Sequence, residues 1–138
     1  MSDVLADTHA VLWYLFDPAR LSPPADVALT SATLLGQLFI STITLVEVNY
    51  LTGKKSFPYT WALPRLFALL ADPTQPLNIL PLDLAVVLAM DQVPRDEVPD
   101  MPDRIVAATA VAHRLPLVSA DTDIHDSVSL KSLAQVIW

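Results

Sequence analysis

PDMPDRIVAATAVAHRLPLVSADTD, residues 99–123, sets four aspartates around a segment that is otherwise almost wholly apolar. Asp100 and Asp103 precede IVAATAVAH, which is apolar all round a helix. LPLVSA then has the length and composition of a short buried strand, and Asp121 and Asp123 follow it at once. A helix that feeds a buried strand is part of a βα alternation, and that alternation implies a parallel sheet with helices on both faces.

The same pattern runs through the rest of the chain. DVLAD reads as a strand opening straight into the helix THAVLWYLF, where Val11, Leu12, Leu15 and Phe16 recur at helical spacing. LSPPADVALTSA carries a Pro pair suited to a helix start, LFIS is a short buried strand, and TITLVEVNYLTGKK is a helix closed by Gly53 and two lysines. PYTWALPRLFALLADP is helical with Pro64 forcing a kink or an offset start. LNILPLD reads as a strand, LAVVLAMDQV as a helix and LAQVIW as a last strand, while PRDEVPDMP is the loop with enough Pro and charge to be mobile.

With 138 residues, a single domain spanning 1–138 is expected. Hydrophobic residues make up 53% of it and mean hydropathy is +0.45, above the usual ~45–50%, so either the core is large or an apolar surface meets a partner. No apolar run approaches the ~18 residues of a membrane helix, and MSDVLADTHA shows no basic leader, so a cytoplasmic protein without membrane contact is expected. Cysteine is absent, which excludes disulfides, thiolate zinc sites and cysteine nucleophiles.

Ligands of parallel sheets bind at the carboxyl ends of the strands, and the acids gather there. Asp7 ends the first strand, Asp121 ends LPLVSA and Asp103 opens the helix that feeds it. Glu47 is the sole charged residue between Asp26 and Lys54, and its burial beside Val46 and Val48 needs compensation. Each acid has a plainer reading: Asp7, Asp100 and Asp103 suit helix N-termini, and TLVE, Thr44 to Glu47, fits a capping box. Capping is served equally by Ser, Thr or Asn, however, and acids stand at all four junctions. Converging carboxylates raise one another's pKa unless a cation intervenes. Oxygen ligands without cysteine point to Mg2+ or Mn2+.

LADTHAVLWYL, ISTITLVEV, PDRIVAATAVAHRLPLVSADTDI and the terminal VIW, taken in order, resemble the PIN domain and within it the VapC-type toxins of prokaryotes. The resemblance implies an α/β/α sandwich with a central parallel sheet and a metal-dependent ribonuclease. It places the acids at Asp7, Glu47, Asp103 and Asp121, with Asp123 as an accessory metal or water ligand and Ser119 orienting a carboxylate. Metal ions there would activate water and stabilise the leaving oxygen, leaving a 5′-phosphate and a 3′-hydroxyl. It also implies an RNA substrate and a small cognate antitoxin presenting Arg or Lys to the carboxylates. DMPDR has its proline one place later than the family's usual approach to the third acid, so Asp100 is read as an N-cap in preference to a ligand. His9 is read as a surface or packing residue rather than a general base, and His113 and His125 carry less still.

The formal net charge of −7 has the wrong sign for a phosphate binder. Lys54, Lys55, Arg65, Arg104 and Arg114 are the cations that would matter to RNA, and Lys54 and Lys55 equally suit a helix C-terminus. Trp13, Tyr14, Tyr50, Tyr59 and Trp61 suit an antitoxin groove or a homodimer face, or a core. Two other functions compete with the nuclease. One is a catalytically silent binding module of the same fold, against which the four acids argue. The other is a receiver domain, which needs paired acids after the first strand where LADTH offers one.

Overall fold

The computed structural model describes residues 2–138. Five short strands, β1 (Val4–Ala6), β2 (Leu38–Ser41), β3 (Leu77–Leu80), β4 (Leu117–Val118) and β5 (Val136–Ile137), pair in the order β3-β2-β1-β4-β5. Every pairing is parallel, with Val4 opposite Leu38, Leu5 opposite Leu117, Leu38 opposite Leu77 and Leu117 opposite Val136. The helices are α1 (Thr8–Phe16), α2 (Pro23–Leu35), α3 (Thr42–Thr52), α4 (Ala62–Ala71), α5 (Leu84–Ala89), α6 (Met101–His113), α7 (Thr122–Asp126) and α8 (Val128–Lys131). Single 3-10 turns follow α1 at Pro18–Arg20 and α5 at Met90–Gln92.

Strand alternation divides the core into two layers. Val4, Ala6, Leu38, Ile40 and Val118 face a cluster with Val11, Leu12, Leu29, Val48 and Leu66. Leu5 and Leu117 face the opposite cluster with Val86, Val106, Ala107 and Ile124. Side chains of a strand point alternately to either side, so a strand buried on both faces is apolar at successive positions. This is the three-layer α/β/α arrangement, and the sheet is covered on both faces. Among the described residues no helix is long and apolar enough to cross a membrane.

Local sequence sets the element ends. Ser22 caps α2, whose first positions are Pro23 and Pro24, where a missing N–H costs nothing. Pro64 is likewise the third residue of α4, so it produces the offset start rather than a kink. The helix at residues 84–93 stops at Ala89 and tightens into the 3-10 turn. Arg114, at φ 54° and ψ 43°, ends α6 in the left-handed region.

Two sequence expectations are corrected. TLVE is not a capping box: Ser41 caps α3, whose first residue is Thr42, so Thr44 and Glu47 lie inside the helix and Thr44 is fully buried. The segment PRDEVPDMP is not a loose tether either: its last two residues open α6, and the loop proper is 94–100. Val93 and Val98 are fully buried. The Glu97 carboxylate accepts from the Ser127 hydroxyl at 2.9 Å and from the Ser129 amide and hydroxyl at 3.0 and 2.7 Å. Its charge is the reason that anchor is strong, since hydrogen bonds to an ionised acceptor exceed neutral ones.

Candidate active site

The strand order reverses direction between β1 and β4, and the crevice at such a switch point is where open parallel sheets take ligands. Asp7 follows β1 and Asp121 follows β4 by three residues, so the switch point itself brings these two acids together. Each caps the helix that leaves the sheet: Asp7 Oδ1 accepts from the Ala10 amide at 2.9 Å, and Asp121 Oδ1 from the Ile124 amide at 3.0 Å. Capping uses one oxygen of each carboxylate. The plainer, capping reading therefore holds for both residues, and it leaves one oxygen of each carboxylate outside the cap.

A pocket of about 420 Å³ opens there, lined by Asp7, His9, Trp13, Glu47, Asp100, Asp103, Ala120 and Asp121. Glu47 reaches it from the middle of α3 and Asp103 from the first turn of α6. Asp100 Oδ2 accepts from the Asp103 amide at 3.1 Å, so Asp100 caps α6 and lines the pocket as well. Asp123 does not join them: it is exposed in the first turn of α7, away from the lining.

Electrostatics at the pocket are those of crowded acids. Burial is the main cause that raises Asp103, followed by the charges of Asp121, Asp100, Glu47 and Asp7, which together push it up to about 8. Burial also raises Asp7, opposed by the Ser119 hydroxyl and the Ala10 amide. Glu47 is raised by burial and held back by a hydrogen bond from Thr8. Thr8 Oγ1 lies 2.5 Å from Glu47 Oε1 and 3.2 Å from Thr44 Oγ1, forming a hydroxyl chain between α1 and α3. Ser119, fully buried, accepts from the Asp121 amide at 3.0 Å. It thus touches two of the acids, Asp7 and Asp121.

All donors around the pocket apart from His9 are carboxylate oxygens, the ligand set of a hard divalent cation. Among the described residues no three of them already stand close enough together to hold an ion. The mutual elevation of pKa shows what an incoming cation would relieve.

The Arg104 guanidinium, next to Asp103, is engaged by the backbone. Its Nε donates to the Val93 carbonyl at 2.6 Å and its Nη2 to the Met90 carbonyl at 2.8 Å, which fixes the chain leading into the loop before α6. Arg65 and Arg114 line two other cavities, and Lys54 Nζ lies 5.3 Å from the Tyr50 ring centroid. Of the aromatics, Tyr14 and Tyr59 pack against the core, with their hydroxyls bonded to Thr33 and Asp17, while Tyr50 and Trp61 are exposed. Sequence pattern alone does not single out Thr8, and it leaves Trp13 one aromatic among five. The only signal at Thr8 is a polar residue set between an acid and an apolar helix.

Comparison with known proteins shows the family of the chain. Residues 4–128 match the PIN domain family, and the chain belongs to it. It is 28% identical over 121 residues to ribonuclease VapC22 of Mycobacterium tuberculosis, covering 88% of each chain. It is also similar to a toxin–antitoxin complex from Klebsiella pneumoniae, with 25% identity, coverage of 91% of this chain and 93% of that one, and a TM-score of 0.61. VapBC2 of Rickettsia felis, solved bound to a DNA fragment from its promoter, shares the fold at a TM-score of 0.67 over 99% of both chains with 15% identity.

Proposed function

We propose that this protein is an endoribonuclease that hydrolyses RNA phosphodiester bonds with Mg2+ or Mn2+, and that it is the toxin of a toxin–antitoxin pair. The observation that carries the reading is that Asp7, Glu47, Asp103 and Asp121, from four separate places in the chain, line one pocket at the carboxyl edge of the sheet. The names of its relatives, a ribonuclease and a toxin–antitoxin complex, support it.

Asp7, Glu47, Asp103 and Asp121 would hold the divalent ion, which when bound supplies an acidified water and neutralises the leaving oxygen. The chain's own contribution is positional. Asp7 and Asp121 are fixed by their caps, Glu47 by Thr8, and Asp103 by its place in the first turn of a helix whose start Asp100 fixes. Asp123, exposed beside Asp121, would take an outer water. The antitoxin would present Lys or Arg to the same carboxylates and compete with the ion, because either cation relieves the same repulsion. Exposed Val46, Tyr50, Trp61 and Phe67 on and around α3 and α4 would form the homodimer face.

The test is cleavage of an RNA mixture by the purified chain. Cleavage should cease in EDTA and return with Mn2+; cleavage indifferent to chelator would end the metal scheme.

A further inference from the structure

A second cavity, of about 850 Å³, opens at the opposite edge of the sheet from the acids. Leu115 and Pro116, which lead into β4, and Ala134 and Gln135, which lead into β5, line it, whereas Asp7 and Asp121 come after their strands. The two cavities share no residue. This volume lies within the ~300–1,000 Å³ of small-molecule sites. Leu88 and Leu133, both in the lining, are 61% and 44% exposed. The lining has no aromatic ring, and its polar side chains are the amides of Gln92 and Gln135 and the guanidinium of Arg114. No acid lines it among the described residues, so Arg114 supplies its one formal charge.

Arg114 is also where the backbone is strained. It ends α6 at φ 54° and ψ 43°, the one non-glycine residue with positive φ among the described residues, and the Leu115 amide closes the turn on the Ala110 carbonyl at 3.0 Å. Glycine ordinarily holds such a position, because a Cβ there costs free energy. What arginine adds at this turn is a guanidinium in the lining of an apolar cavity.

We propose that this cavity binds an aliphatic monocarboxylate, its chain against Leu88, Leu115 and Leu133 and its carboxylate on the Arg114 guanidinium. Charge decides the head group. One cation in a lining without other formal charge balances one negative charge, and a chain of net charge −7 repels a more highly charged anion. A guanidinium presents paired donors that match the two oxygens of a carboxylate, and Gln92 and Gln135 offer further amide donors in the same lining. The aliphatic walls decide the body, since an acyl chain there leaves water together with the two exposed leucines. This site does not depend on the ribonuclease reading.

The experiment titrates the full chain with decanoate below its micellar concentration, reading calorimetric heat and the melting temperature. Decanoate should bind and raise the melting temperature, as a ligand of the native state does. Decanol, the same chain without the charge, should bind at least roughly tenfold more weakly, the loss expected of one charge-assisted hydrogen bond. Arg114→Gly should weaken decanoate by roughly the same factor and, without ligand, melt higher than the parent, since glycine enters the turn without strain. Ala112→Trp, at an exposed position of the lining, keeps the arginine and obstructs the cavity, so it should weaken decanoate while leaving the unliganded melting temperature unchanged. No binding by the parent, equal affinity for decanoate and decanol, or decanoate binding unchanged in both variants overturns the proposal. So does an Arg114→Gly chain that melts lower than the parent, which would assign the arginine to the fold. A sedimentation run in which Ala112→Trp breaks a dimer overturns it too, by assigning the cavity to a contact between copies.

Discussion

Thr8 donates a hydrogen bond of 2.5 Å to Glu47, tying the first turn of α1 to the middle of α3 across 39 positions of sequence. Thr8 itself is buried, with the Thr44 hydroxyl 3.2 Å from its own. The half-buried Glu47 carboxylate therefore enters the pocket with one oxygen already committed. Thr8→Val keeps the shape and removes the donor. Groups that orient a metal ligand are worth about 10–100-fold in metal affinity or activity, so Mn2+ affinity and cleavage should both fall by about that factor, and Thr8→Ser should recover them. Unchanged Mn2+ affinity in Thr8→Val would show that Glu47 needs no orientation.

The acids make stability depend on pH in an unusual direction. Asp103, Glu47 and Asp7 are all raised in the folded chain, Asp103 to about 8. Between the unfolded carboxylate range near ~4 and pH 8 the native state thus binds more protons than the unfolded one, and stability falls as pH rises. The lowered groups, Asp72 and Glu97, act in the opposite sense but only at lower pH, below their ordinary values of 3.8 and 4.5. In EDTA the melting temperature should be higher at pH 5 than at pH 8, and Mn2+ should raise it at pH 8. A melting temperature that climbs steadily to pH 8 in EDTA would mean that the carboxylates do not crowd.

Asp7 separates folding from chemistry by choice of replacement. Asparagine caps a helix as well as aspartate does, whereas alanine costs about 1 kcal/mol. Both variants should be inactive, but denaturant titration should find Asp7→Asn as stable as the parent and Asp7→Ala weaker by about that amount. Equal stability of the two would show that the Ala10 bond contributes nothing.

Glu97 predicts a change in motion. Its carboxylate joins the 94–100 loop to Ser127 and Ser129. Glu97→Ala should speed hydrogen exchange at Val98 and the first turn of α6, and expose the bond after Arg95 to trypsin. Protection unchanged from the parent would assign the order of this loop to buried Val93 and Val98 alone.

How far each feature is legible in the sequence depends on the distance over which it is fixed. The sheet and its long helices are legible because apolar periodicity is local, and the four acids because an acid in an apolar run stands out: Glu47 is the clearest case. The ordered loop is not legible, since the serines that hold Glu97 lie 30 and 32 positions away. Arg104 misleads for a related reason, as nothing local distinguishes a guanidinium bound to carbonyls 11 and 14 residues back from one waiting for phosphate. Ser41 is hidden as the cap of α3 because Ser41, Thr42 and Thr44 all have the chemistry for it.

In Asp7 and Asp121 the atom that starts a helix and the charge that faces the pocket belong to one carboxylate. Mutational drift at these positions is consequently channelled. Most replacements injure the architecture along with the chemistry and are removed for the first reason before the second is tested. Asparagine, serine and threonine are the exits that remain open, since each retains an acceptor oxygen and discards the charge. A descendant that gave up hydrolysis while keeping its shape would therefore carry uncharged caps after β1 and β4, and those two positions would date the loss.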